Sequence, residues 1–292
     1  MTERMKYMIE LLHVGDSLDA NVKIDTFEKL NNSLFIFTHS LYDNKVEIDY
    51  HLSELEGKYI RFGFANQSII TLLRGSSFTL IDTKTTIIDV FSIHSIMRMQ
   101  IESFIWMFYL FYDDISKGEK EFRYNIYKLH GLLKQSRFEI KDDEDKENIL
   151  AKRNEILNEI EQLREKIKVS SLYLESSEKD RKNHLDPRQP RSIESNILFE
   201  KSRLGKSRMR DLWNLYSNHA HAEHIGDRQA NAITNNGSID INTISNILSA
   251  CSILTARLIK NLLTEFPSIN NVYLNMTEQE KVPIDIWSGL SN

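Results

Sequence analysis

The chain contains little that breaks a helix. Its 292 residues include only ten glycines and four prolines. Glycine is costly in a helix interior, and proline removes a ladder hydrogen bond. Their scarcity therefore permits long uninterrupted helices. A single cysteine, Cys251, excludes any intrachain disulfide. Its place in an apolar helical stripe marks it as a small core residue rather than a nucleophile. The most apolar run, residues 104–111, is eight residues long. A bilayer needs about twenty, so this run reads as buried helix. Met1 to Met8 carries Glu3, Arg4 and Lys6 without a following apolar region, unlike a secretory signal. These features lead us to expect a soluble protein of the reducing cytoplasm with no membrane partner. The sequence also lacks a Gly-rich phosphate loop and a serine elbow, which argues against hydrolases of those classes.

Hydrophobic residues make up 41% of the chain and charged residues 27%, enough to bury a core. Apolar periodicity predicts a short helix over 5–12 and a helix over 52–73 that Gly75 closes. It further predicts a central, buried helix over 79–112, then helices over 121–133, 203–226 and 241–266. Residues 15–50 are mixed, and the apolar run 34–37 has no clear period. In 142–169, Ile149, Ile156, Ile160, Leu163 and Ile167 follow 7-4-3-4 spacing, a short coiled-coil-like stripe that requires a mate. The polar stretch from there to Pro190 reads as a mobile loop, and 235–237 as a turn. No internal repeat or sustained strand alternation is present. The expected architecture is all-α: a helical bundle built from 51–135 and 200–267. Residues 136–199 would form a projecting coiled-coil-like arm with a basic loop. Residues 1–50 would be an N-terminal helical or irregular segment, and 268–292 a C-terminal tail.

The formal net charge of −5 does not suggest a polyanion partner, but its distribution is uneven. Residues 179–210 hold ten Lys/Arg against four acids, a net +6, which leaves −11 for the rest. Such a stretch is either a solvated basic loop or a phosphate-facing patch, with Arg203, Lys206, Arg208 and Arg210 as contacts.

Two polar motifs interrupt the apolar pattern. In the first, His94, Arg98 and Glu102 recur every four residues, so they share one helix face and Arg98 can pair with Glu102. Charges on so apolar a helix require partners or a water-filled site. The motif is therefore either a structural buried ion pair or part of a site. The second motif runs from Arg210 through Tyr216, Ser217, His219 and His221 to His224. Three of the nine histidines fall within six residues. His221 and His224 share a face, with small Ala220 and Ala222 between the histidines, whereas His219 points about 200° away from His221. Histidine titrates near neutrality and suits acid–base work, although structural or surface histidines fit the pattern equally. His221, His224 and Glu102 are also metal-ligand types, but their spacing matches no established metal motif. No metal or other cofactor is expected.

An apolar helix bearing Arg-x-x-x-Glu (Arg98, Glu102), followed about a hundred residues later by Tyr-Ser-x-x-x-His (Tyr216, Ser217, His221), resembles a family of bacterial helical proteins. That family is similar to the HEPN superfamily (higher eukaryotes and prokaryotes nucleotide-binding). The resemblance covers roughly residues 52–263. It implies a HEPN-like bundle and metal-independent ribonuclease chemistry of the kind found in toxin, CRISPR and phage-defence systems, usually in dimers. The superfamily places an arginine four to six residues before its histidine. Here those positions hold Leu215, Tyr216 and Ser217, so an arginine must come from Arg98 across the bundle or from a neighbouring chain.

The expectation is thus an effector that binds or cleaves RNA. Arg98, Glu102 and His221 would be catalytic and would converge in the bundle centre, with His94, Tyr216, Ser217 and His224 as accessories. His221 would move the proton, and Arg98 would neutralise the phosphorane charge. The expected partners are RNA, a defence-system protein and a second copy of the chain. Two alternatives remain open: a non-catalytic helical interaction module, and a small-ligand or nucleotide sensor.

Overall fold

A computed structural model describes residues 1–80, 83–138, 146–202, 204, 208–220, 224, 228 and 240–290. Of these residues 80% are helical. The helices, in chain order, are α1 (Glu3–Asp16), α2 (Ala20–Asp43), α3 (Leu55–Leu73), α4 (Val90–Met107), α5 (Lys117–Ser136) and α6 (Lys146–Lys168). They continue with α7 (Ser171–Glu175), α8 (Glu178–Leu185), α9 (Ser195–Lys201), α10 (Arg210–Ala220), α11 (Ile241–Glu265), α12 (Asn270–Asn275) and α13 (Glu278–Gly289). The all-α helical bundle is as expected. The chain divides into two compact units, one of residues 1–48, 54–108 and 198–292, the other of 49–53 and 109–197.

In the first unit, α2 and α11 pack side by side, with α3 against α2 and α4 against α3. The core side chains Leu34, Phe37, Tyr59, Ile69, Ile93, Met97, Leu254 and Leu258 are wholly inaccessible. The centre of this core is polar. The Asn66 amide donates to Asn31 Oδ1 at 2.9 Å and to Thr255 Oγ1 at 3.0 Å. Gln100 Nε2 donates to Asn66 Oδ1 at 2.7 Å and to the Phe62 carbonyl at 2.9 Å. Asn31 Nδ2 donates to the Gly63 carbonyl at 3.1 Å. Four buried polar side chains from α2, α3, α4 and α11 thus satisfy one another. Gly63 is needed here for close approach, because a Cβ would lie 2.5 Å from the Phe35 ring.

Several expectations are corrected. Residues 15–50 are mostly one 24-residue helix, started by the Asp19 side chain, which accepts from the Asn21 amide. Of the run 34–37, Leu34 and Phe37 belong to its buried stripe with Ile24, Phe27, Leu30 and Leu41, whereas Phe35 is half-buried and Ile36 exposed. Residues 79–112 are not one helical segment. An antiparallel hairpin, β1 (Ser76–Leu80) with β2 (Thr83–Ile87), comes first, with Phe78 opposite Thr85. Its four threonines, with Phe78 and Ile87, favour the extended backbone. Asp89 then caps α4, its carboxylate accepting from the Ser92 amide. Gly75 does close α3, at φ +80°. The 268–292 tail contains α12 and α13, and Val282 and Ile284 of α13 are buried. Among the described residues one helix, α11, is long and apolar enough to cross a membrane, but 67% of its apolar window is buried.

In the second unit the coiled-coil-like stripe finds its mate inside the chain. Ile160, Leu163 and Ile167 of α6 bury against Phe122, Ile126 and Leu129 of α5, and Lys128 Nζ pairs with Glu159 at 2.9 Å. Residues 170–190 form α7 and α8 rather than a loop; Ser177 caps α8 by accepting from the Asp180 amide. Arg123 is buried against Asp113 at 2.7 Å, and its guanidinium lies 4.6 Å from the Tyr109 ring centroid. The 235–237 turn lies outside the described residues.

The C-terminal helix is tied on through Asp285, which accepts from Lys260 at 2.6 Å, Tyr273 at 2.6 Å and Arg4 at 2.7 Å. Burial alone would raise the Asp285 carboxyl, but these three donors hold it below the ordinary carboxylate range. A carboxylate with a depressed folded pKa contributes stability above its unfolded value of about 4 and loses it as pH falls through the folded value. Two predictions follow from this packing. Asn66→Ala should lower unfolding stability by roughly 3 kcal/mol in urea titrations, because it leaves Asn31, Gln100 and Thr255 short of partners. In wild type, the Arg4 and α13 contacts should loosen only below about pH 4, followed as accelerated amide exchange in α1 and α13; in Asp285→Asn the same segments should exchange fast already at pH 7.

Candidate functional site

Helix α10 lies along α4 and brings the two polar motifs together. Arg98 Nη1 donates to Glu102 Oε2 at 2.7 Å, the pairing that four-residue spacing predicts. Arg98 Nε donates to Ser217 Oγ at 3.1 Å, although the two residues are 119 positions apart. The Ser217 hydroxyl in turn donates to the Trp213 carbonyl at 2.7 Å. The Arg98 guanidinium lies 5.5 Å from the Trp213 ring centroid, and the Phe199 ring packs against the same indole at 6.2 Å. The cluster is not in the bundle centre, where the sequence analysis put it. The side chains of Arg98 and Glu102 are 23% and 36% exposed. Ile93, Met97, Ile101 and Phe104 of α4 are buried, whereas Arg98 and Glu102 lie where solvent reaches them.

Behind this cluster the motifs are packed rather than open. His94 is buried, and its ring stacks on Tyr216 at 4.7 Å. Burial, with a smaller contribution from Cys251, pushes the Tyr216 hydroxyl well above its ordinary range, so it stays protonated at neutral pH. Cys251 is wholly buried with its sulfur 3.1 Å from that of Met97, and burial raises the thiol too, as expected of an inert core residue. His94 and Tyr216 therefore support the site from beneath and present no titratable group to a ligand.

His221, Arg203 and Lys206 lie outside the described residues, so the expected meeting of His221 with Arg98 and Glu102 falls there as well. His224 is exposed. Arg208 and Arg210 are exposed, and Arg208 Nη2 donates to Asn246 Oδ1 at 2.7 Å. The basic stretch 179–210 is divided between the two units. Lys179, Arg181, Lys182, Arg188 and Arg191 belong to the second; Lys201, Arg203, Lys206, Arg208 and Arg210 belong to the first. Several of the former are engaged locally: Arg181 donates to the Tyr173 carbonyl and Lys182 pairs with Glu178. Among the described residues no three His, Cys, Asp or Glu side chains group closely enough to hold a metal ion.

Trp213 was not among the expected site residues. Its signal was positional: it stands four residues before Ser217 in one helix and so shares that face. A partly exposed guanidinium beside an indole offers a cation for a phosphate and an aromatic surface for a base. No family model matches the chain, and no curated protein or solved structure is significantly similar to it. Ser217→Ala should preserve the helical circular-dichroism signal and lower stability by about 1 kcal/mol, because one partly exposed hydrogen bond to a charged group is lost. A loss of several kcal/mol would show that the contact belongs to the core.

Proposed function

We propose that the protein is a HEPN-like effector that binds RNA and cleaves it by metal-independent acid–base chemistry. The supporting observation is the hydrogen bond from Arg98 to Ser217, which joins the Arg-x-x-x-Glu motif to the Tyr-Ser-x-x-x-His motif. His221 stands four positions after Ser217 in the sequence. In this reading Arg98 contacts the scissile phosphate, Trp213 stacks on a neighbouring base, and His221 moves the proton between the 2′-hydroxyl and the leaving oxygen. Glu102 holds the guanidinium in place until the phosphate competes for it. The same resemblance carries the proposals of a role in phage defence, a defence-system partner and assembly as a homodimer or larger homo-oligomer, and the single cysteine and short apolar runs carry that of a cytoplasmic setting. Arg203, Lys206, Arg208 and Arg210 would contact the backbone of the RNA.

A second reading has its own support. Arg98, Glu102 and Ser217 already satisfy one another. Such a closed set of contacts suits a non-catalytic helical interaction module or a nucleotide sensor, in which the cluster only fastens α10 to α4. Incubating the full chain with labelled total RNA separates the two readings. For a ribonuclease, His221→Ala should reduce cleavage by about 10² to 10⁴ with the fold intact. Arg98→Ala should also reduce cleavage, and activity should persist in EDTA. Activity lost in EDTA and restored by zinc or manganese would replace the mechanism with a metal-dependent one. RNA that is bound and never cut would leave the binding module.

A further inference from the structure

A second candidate site lies away from α10, between α1, α2, α11 and α13. Lys23 of α2 is 7% exposed. Its ammonium donates to the Val14 carbonyl at 3.1 Å and to the Gly15 carbonyl, at the C-terminal end of α1. None of the ion pairs among the described residues includes it, although a buried ammonium is ordinarily matched by a carboxylate. An ammonium has three N–H donors, and the two carbonyls take two of them. Lys23 also lines a cavity of about 80 Å³ whose wall from α11 carries Ser245, Ser249 and Ser252, with Trp287 of α13 closing it. The Ser245 hydroxyl already donates to the Ile241 carbonyl at 2.8 Å; a buried cation with a donor to spare beside the hydroxyls of Ser249 and Ser252 is a setting for an oxyanion.

The cavity does not stand alone. Leu11, Val14 and Thr26 line it and also line a larger groove of about 480 Å³. That groove is walled by Leu30 and Ile36 of α2 and Pro283 of α13, with Tyr7, Glu10, Lys29 and Glu280 among its polar residues. Its volume is that of a small-molecule site. Glu280 is already engaged, accepting from the amide and hydroxyl of Thr277, and Glu10 pairs with Lys6 at 3.8 Å. Proline has no N–H, so the ladder of α13 cannot satisfy the carbonyl of Gln279, which stands four residues before Pro283 in the wall of the same groove.

We propose that this paired cavity binds an amphiphilic monocarboxylate: the carboxylate at Lys23 and the α11 serines, the aliphatic chain along Leu11, Leu30, Ile36 and Pro283. The charge at one end and the apolar walls at the other select this class over a simple anion or a neutral lipid.

Calorimetric titration of the full chain with sodium decanoate, below its micelle concentration, tests the site, with 1-decanol and acetate as controls. Decanoate should bind saturably and one-to-one, with decanol and acetate each at least tenfold weaker. Lys23→Met should weaken decanoate at least tenfold while leaving decanol unchanged. If that variant loses its fold, Ser249→Phe serves instead: it fills the cavity without removing the bonds from Lys23 to α1, and it too should weaken decanoate at least tenfold. Failure of decanoate to saturate, equal affinity for decanol, or decanoate binding unchanged in a folded Lys23→Met or Ser249→Phe protein would overturn the assignment.

Discussion

Four amide and hydroxyl side chains buried at one point, Asn31, Asn66, Gln100 and Thr255, constrain the helices that carry them more tightly than apolar packing can. Apolar contacts are non-directional and tolerate small slides. A hydrogen-bonded amide buried at 0–1% exposure does not, because each lost partner leaves a polar atom in a low-dielectric interior. The network therefore fixes the relative register of α2, α3, α4 and α11. For α4 this has a direct consequence. Gln100 faces the network, and Arg98, two residues earlier, lies about 200° around the helix from it. Fixing Gln100 inward turns Arg98 outward, to the side on which α10 brings Ser217 and Trp213.

The cluster that results is defined by competition. The Arg98 guanidinium lies between a carboxylate, a hydroxyl and an indole, in partial contact with water. An ion pair so exposed is worth little in stability, so it can be exchanged for another anion at small cost. A phosphate meets the same donors with more charge. The packing beneath, His94 on Tyr216 and Met97 beside Cys251, is buried, and the Tyr216 hydroxyl and the Cys251 thiol keep their protons at neutral pH. Chemistry in this region is thereby confined to the outward face of α4 and α10.

Much of this was legible in the sequence and some was not, for identifiable reasons. The Arg98–Glu102 pair followed from four-residue spacing alone. Its depth did not, because an apolar helix reads the same whether its charged stripe faces the core or the solvent. Helix α2 was obscured by the polar residues its buried stripe carries: Asn31 and Thr38 occupy core positions, so the apolar run 34–37 had no visible period. The network that explains them is non-local, and a sequence does not display it. The 76–87 hairpin was absorbed into the helix that follows because its β-branched residues continue the apolar pattern. Residues 170–190 are as polar as a loop, yet Ser177 caps a helix there and α8 packs on α5 and α6. The bond from Arg98 to Ser217 spans 119 positions; the paired motifs suggested a meeting without fixing which atoms meet.

The claim on which the functional account rests is that the Arg98 guanidinium exchanges its contacts on the protein for an RNA phosphate. The side-chain Nε–H resonance of Arg98, observed in the arginine-labelled full chain by nuclear magnetic resonance and identified by its loss in Arg98→Lys, reports this directly. In the free protein it should appear as a distinct, slowly exchanging signal. Titration with a short single-stranded RNA should shift that signal to saturation, and raising the salt concentration should reverse the shift. A signal that stays in place while the RNA binds elsewhere, or an RNA that does not bind at all, would contradict the account and leave Arg98 as a fastening between two helices.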